Sequence, residues 1–162
     1  MNIHLAISQG SKILRDKFVP NPQLDSEILM AKTLNKDRNY ILVNAHNSID
    51  LKDLDLFNNL IKKRSLGNPV AYLTNKKFFW NSEFYVTNGA LIPRPDTELL
   101  IENILKITKQ KNKLNILDIG IGSGCILLSI LKERKDFYGT GIDISKKCIN
   151  ISKINAMKLK VI

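Results

Sequence analysis

Leu114-Asn115-Ile116-Leu117-Asp118-Ile119, then Gly120-Ile121-Gly122-Ser123-Gly124, then Cys125-Ile126-Leu127-Leu128-Ser129-Ile130-Leu131 is the stretch that decides the fold. A short apolar run, a turn with a glycine at every second position and a longer apolar run predict a strand, a glycine turn and a helix reaching about Arg134. Outward from there, Phe137 to Ile142 reads as a second strand and Ser145 to about Leu159 as a second helix. Lys160-Val161-Ile162 then reads as the opening of a third strand. Strand, helix, strand, helix in that order begins a doubly wound α/β sheet. With two complete strands the sheet leaves Ile116, Ile119 and Ile142 without cover and one edge unpaired, so the sequence reads as an incomplete domain.

Upstream, Pro93-Arg94-Pro95 holds the backbone extended, and Asp96 or Thr97 is placed to cap a helix whose apolar stripe is Leu100, Ile104 and Ile107. Before it, Phe78 and Trp80, then Phe84 and Val86, flank Asn81-Ser82 as two short strands about a tight turn. Residues 1–70 read as helices. One is capped by Asn21, with Pro22 in its first turn and Leu24, Ile28, Ala31 and Leu34 on one face. Another starts at Asp50, carries Leu51, Leu54, Phe57, Asn58 and Ile61 on a stripe, and stops near Gly67. Shorter helices are expected near 3–16 and 38–44. The expected fold class is therefore α/β: a small N-terminal helical domain at 1–73, a β-hairpin linker at 74–95, and an incomplete doubly wound domain at 96–162.

At 162 residues with 44% hydrophobic and 25% charged side chains, the chain can bury one good core or two small ones, which excludes a disordered or fibrous class. Apolar runs are broken within about 8 residues, against roughly 18 needed to cross a bilayer, and the start Met1-Asn2-Ile3-His4-Leu5 lacks a secretory pattern. The expected address is the cytoplasm, as a monomer with no membrane partner. Cys125 and Cys148 lie far from each other and from His4 and His46, so two buried thiols are expected rather than a metal site or a disulfide. The net charge of +10 points to an acidic partner or to nucleic acid. Scatter of the basic runs over several elements makes direct nucleic-acid binding the less favoured of the two.

The glycine spacing discriminates among cofactors. A dinucleotide fingerprint needs glycine where Cys125 stands, and a phosphate-binding P-loop needs Gly-Lys where Cys125-Ile126 stand. Glycines 120, 122 and 124 after the acidic Asp118 look instead like the S-adenosylmethionine loop of class I methyltransferases. Asp143, at the end of the second strand, is placed to accept both hydrogens of a ribose diol. The competing readings are a purely structural strand-to-helix turn and a carboxylate that caps the following helix.

Over essentially its whole length the sequence resembles the HemK-type protein-(glutamine N5) methyltransferases of peptide chain release factors. Leu24-Asp25-Ser26-Glu27-Ile28-Leu29 with Lys36-Asp37-Arg38 is similar to the family's N-terminal helical domain. The segment from Lys63 to Leu73 is similar to its interdomain stretch, and Phe79-Trp80 with Phe84-Tyr85-Val86 to its hairpin. Leu91-Ile92-Pro93-Arg94-Pro95-Asp96-Thr97-Glu98 resembles its signature beside the cofactor.

The resemblance implies a Rossmann-like class I methyltransferase domain that takes S-adenosylmethionine and methylates a glutamine amide of a release factor. It places the cofactor on Gly120, Ile121, Gly122, Ser123, Gly124 and Asp143, and the helical domain on the protein substrate. Arg94, Asp96 and Glu98 are cofactor-side or substrate-side candidates, though a loop leading into a helix is an equal reason for them. The family's Asn-Pro-Pro-Tyr substrate motif does not occur in the 162 residues. The chain is therefore expected to be an inactive fragment of its family, without catalytic residues of its own. The alternatives are a nucleic-acid adenine N6-methyltransferase and a non-catalytic binding module.

Overall fold

The computed structural model describes residues 1–161 as two compact units, Met1–Thr74 and Asn75 onward. The first unit is helical: α1 (Ile3–Asp16), α2 (Pro22–Leu34), α3 (Arg38–Val43), α4 (Leu51–Ser65) and α5 (Val70–Thr74). The amides that open α1 find partners outside it, Ile3 on the Asn47 carbonyl and His4 on that of Ala45, while the Asn2 side chain accepts from Leu5. The Asp50 side chain caps α4 by accepting from the Asp53 amide at 2.7 Å. Its core gathers Ile3, Ile7 and Leu14 from α1, Leu29 and Met30 from α2, Ile41, and Phe57 and Ile61 from α4. Gly10 lets three helices meet, because a β-carbon there would lie 2.8 Å from the Ser26 Oγ and 2.9 Å from the Phe57 ring.

Two expectations for α2 fail. Asn21 makes no side-chain cap bond, and Leu24 and Ile28 do not lie on the buried face, which runs through Ser26, Leu29, Met30 and Thr33. The face is rotated because charged residues are buried beside the apolar ones. Asp25 accepts from the Arg64 Nε at 2.7 Å and Glu27 from the Arg38 Nε at 2.7 Å, so ion pairs carry them inside. In α4 only Phe57 and Ile61 of the expected stripe are buried; Leu51 is exposed.

The second unit contains a hairpin, β1 (Lys76–Phe79) and β2 (Ser82–Tyr85), then α6 (Glu98–Ile107), β3 (Asn115–Ile119), α7 (Cys125–Glu133), β4 (Tyr138–Ile142) and α8 (Lys146–Leu159). The turn of the hairpin is Trp80-Asn81, with φ of 43° and 53°, one residue earlier than the Asn81-Ser82 expected. A shift of one exchanges the faces of a strand. Phe79 rather than Phe78 therefore points inward, edge-on to Phe84 with ring centroids 6.0 Å apart, and Phe78 is 69% exposed. The hairpin is part of this unit: the Trp80 amide donates to the Glu98 carboxylate and Lys132 to the Ser82 hydroxyl.

A single 3-10 turn, Pro95–Thr97, runs directly into α6, and neither Asp96 nor Thr97 caps it through its side chain. Ile101, not Leu100 or Ile107, is the fully buried residue of that helix. β3 and β4 pair in parallel with Asp118 opposite Gly141 and Ile119 opposite Ile142. Leu127, Leu128 and Ile130 of α7 and Ile151 and Ala156 of α8 are buried. Ile119 is 75% and Ile142 48% exposed, as the two-stranded reading implied. No third strand opens at the expected place among the described residues: Lys160 ends α8 in the left-handed conformation and Val161 is not in a strand, while Ile162 lies outside the described residues.

Candidate functional site

The site is built where β3 gives way to α7. All three glycines have positive φ, 85°, 56° and 81° at 120, 122 and 124, so the turn is coiled tightly and a side chain at any of them would be strained. The Gly120 and Ile121 amides donate to the Ile142 carbonyl at 2.8 and 3.0 Å, which fastens the turn to the end of β4. Space separates the three glycines by role. A β-carbon on Gly124 would meet Leu128 at 2.7 Å, so that glycine serves helix packing. Among the described residues nothing lies within 4 Å above Gly120, and above Gly122 only the Gly120 carbonyl at 3.8 Å. The first two thus expose backbone to open space.

Asp143 closes the turn from the other side. One carboxylate oxygen accepts from the Gly122 amide at 2.9 Å and the other from the Ser145 amide at 2.8 Å. These two amides hold its pKa below the ordinary carboxylate range. The cap of α8 is Ser145, whose hydroxyl accepts from the Cys148 amide, so Asp143 is not that cap. Each carboxylate oxygen keeps a second acceptor position for a ligand. Asp118, at the end of β3, is pushed the other way: burial raises its pKa, and the charge of Asp143 adds to the rise. Burial also raises the thiol of Cys125, which makes it a packing group rather than a nucleophile.

The polar residue that sequence reasoning missed is Asn155 on α8, fully buried. Its Oδ1 accepts from the Tyr85 amide at 2.6 Å, and its Nδ2 donates to the carbonyls of Tyr85 at 2.9 Å and Ser123 at 2.8 Å. One side chain therefore joins the glycine turn to β2. An asparagine on the otherwise small and apolar stripe Cys148, Ile151, Ser152, Ala156 was the available signal.

The structure thus brings together Gly120 to Gly124 and Asp143. Glu98 lies with the hairpin, where its carboxylate accepts from the Trp80 amide at 2.9 Å. Arg94 and Asp96 are exposed on the loop before α6, and no side-chain hydrogen bond or ion pair ties either to the glycine turn among the described residues. The open backbone of Gly120 and Gly122, flanked by Asp118 and Asp143, fits a ligand with a polyol and a positive charge. S-adenosylmethionine, with a ribose, a sulfonium and an ammonium group, has that chemistry.

Comparison with known proteins adds the following. The family described as "PrmC N-terminal domain" matches residues 6–74. A release factor glutamine methyltransferase of Leptospira interrogans is 37% identical over 154 residues, 94% of this chain and 54% of that protein. Proteins of the same name from two subspecies of Buchnera aphidicola are 37% identical over 99% of the chain (Schizaphis graminum) and 40% identical over 90% (Baizongia pistaciae). Those alignments cover 58% and 52% of the two proteins. The chain spans about half the length of the curated relatives it matches.

Proposed function

We propose that the chain belongs to the release factor glutamine methyltransferase family, and that it carries the family's N-terminal domain and the part of the methyltransferase domain that holds S-adenosylmethionine. The activity served is transfer of a methyl group to the side-chain amide nitrogen of a glutamine in a peptide chain release factor. The observation that supports this best is the glycine turn with two backbone positions open to a ligand and a carboxylate fastened beside them.

S-adenosylmethionine supplies an electrophilic methyl group on a sulfonium. The residues of this chain bind and orient. Gly120, Ile121, Gly122, Ser123 and Gly124 present backbone to the amino-acid and ribose portions, and Asp143 accepts from the ribose diol with the lone pairs its two amide bonds leave over. Asp118 adds a second negative charge on the side where the cofactor carries positive ones. Arg94 and Asp96, exposed and with no side-chain hydrogen bond or ion pair among the described residues, are available to substrate or cofactor; Glu98 acts through the hairpin it braces. The helical unit Met1–Thr74 is assigned to recognition of the release factor.

Titration of the 162-residue chain with S-adenosylhomocysteine, beside NAD and ATP, tests the reading. Saturable heat with S-adenosylhomocysteine alone is expected, and its loss in Gly122→Val. Binding of NAD or ATP in its place would sink it.

A further inference from the structure

Three anchors hold the glycine turn. The Gly120 and Ile121 amides donate to the Ile142 carbonyl and the Gly122 amide to the Asp143 carboxylate, all at the end of β4. The third anchor is of another kind: the Ser123 carbonyl accepts from the Asn155 Nδ2 at 2.8 Å, well inside α8. The rest of that side-chain amide is committed to a single residue. Asn155 Oδ1 accepts from the Tyr85 amide at 2.6 Å and Nδ2 donates to the Tyr85 carbonyl at 2.9 Å, so Asn155 pairs with the last residue of β2 as a neighbouring strand would.

The same face of α8 carries the chain onward from Tyr85. The Cys148 thiol donates to the Gly89 carbonyl at 3.2 Å, and Ile151 is buried with Ala90 and against Tyr85. The Lys147 stem lies over Gly89, where a β-carbon would stand 2.7 Å from it. Towards the glycine turn, Ser152 packs so close to Gly124 that a β-carbon there would lie 3.3 Å from its own. Residues 148, 151, 152 and 155 recur at helical spacing, so one stripe of α8 grips the turn on one side and residues 85–90 on the other. That segment runs directly into Leu91 to Asp96, the loop that exposes Arg94 and Asp96. Packing alone does not call for an amide on this stripe, where Ser152 and Ala156 show that small side chains fit. A buried amide is unfavourable unless its bonds are made, and Asn155, fully buried, makes three.

We propose that Asn155 is a positioning residue for the cofactor, which sets the shape of the glycine turn through the Ser123 carbonyl and passes occupancy of the turn on to residues 85–90 and the loop they feed. The inference rests on the reading of the turn as the S-adenosylmethionine site. Its physical basis is the planar Nδ2 group, whose two hydrogens are committed to two carbonyls on opposite sides of α8. Neither partner can shift without bending the bond to the other. A ligand that orders Ser123 therefore orders Tyr85 as well, and the coupling runs equally in the other direction.

Amide hydrogen exchange of the 162-residue chain, read residue by residue by NMR with and without saturating S-adenosylhomocysteine, is the test. The amides of 120–124 and of 85–90 should slow together, each by about fivefold or more, while those of 109–113, beyond the end of α6, stay within about twofold. Asn155→Asp keeps the size of the side chain and the acceptor for the Tyr85 amide but turns an oxygen towards both carbonyls. Its affinity should fall about tenfold, and at saturation its turn should still slow while 85–90 does not. Ile101→Val loosens the second unit from α6 without touching the stripe, and should bind within about twofold of the parent and keep both responses. Absence of S-adenosylhomocysteine binding by the parent would sink the cofactor reading and this inference with it. Binding that protects the turn and leaves 85–90 unchanged overturns the inference alone, as does Asn155→Asp binding within about twofold of the parent. The parent's own exchange pattern decides the matter even where Asn155→Asp fails to fold.

Discussion

Both oxygens of Asp143 accept backbone amides, from Gly122 and Ser145, so removing the carboxylate frees the glycine turn as well as any ribose contact. Asp143→Ala should therefore weaken S-adenosylhomocysteine binding by roughly 30-fold to 150-fold, the worth of a charge-assisted pair of about 2 to 3 kcal/mol, and lower the melting point in the same protein. Calorimetric titration beside a melting curve checks both; a lowered melting point with full affinity would remove Asp143 from the cofactor site. Because its pKa is depressed in the fold, the stability these bonds contribute is complete above the unfolded value of about 3.9 and is lost as pH falls through the lower folded value. The Gly122 and Ser145 amide resonances should shift together in that acid range. Asp118 has the opposite sign. Burial raises its pKa, so its charged form opposes folding above that raised value, and Asp118→Asn should raise the melting point at pH 7 and lose the gain near pH 4. Cofactor affinity of that variant should fall, since one of two negative charges is gone.

Between elements, single polar side chains do the joining. Asn155 makes three hydrogen bonds that tie α8 to β2 and to the glycine turn, and nothing apolar of its size replaces them. Asn155→Ala leaves buried partners on Tyr85 and Ser123 unsatisfied and should cost about 3 kcal/mol, read as a lower urea midpoint of the second unit. In the first unit Asp25 and Arg64, largely buried at 2.7 Å, hold α2 to α4. Asp25→Ala strands a cation inside and should cost about 3 kcal/mol in the same assay, whereas a loss under 1 kcal/mol would mark the pair as solvated. Asp25 and Arg64 both fall in stretches that carry the family resemblance, so part of that resemblance is explained by structural cement rather than by recognition of a substrate.

For the molecule as a whole, the two units differ in how well they are covered. The helical unit encloses a continuous core from Ile3 to Ile61, while the sheet of the second leaves Leu117, Ile119 and Tyr138 more than half exposed and Ile142 nearly so. Hydrogen exchange should find strong protection at Leu14, Leu29 and Ile61 and weak protection along β3 and β4. Equal protection in both would mean that another chain covers the sheet. A polypeptide of these 162 residues incubated with radiolabelled S-adenosylmethionine and a release factor should transfer no methyl above a no-enzyme blank. An amide nitrogen is a poor nucleophile, and no Asn-Pro-Pro-Tyr motif is present to orient it. Incorporation at the glutamine would show that other residues do the orienting.

What the sequence by itself determined is whatever rests on local backbone chemistry. The glycine turn, the order of strands and helices after it, the Asp50 cap and the place of the hairpin follow from which residues tolerate positive φ, which accept from a free amide and how apolar residues recur. Tertiary structure alone decided which face of each element is buried. Asp25 and Glu27 go inside α2 because arginines 39 and 11 residues away meet them, and Phe79 replaces Phe78 because a one-residue turn shift exchanges the faces. Asp143 serves the turn as a brace because Gly122, 21 residues back along the chain, comes within 2.9 Å of it. Each of these depends on a partner distant in sequence, and periodicity carries no information about such partners.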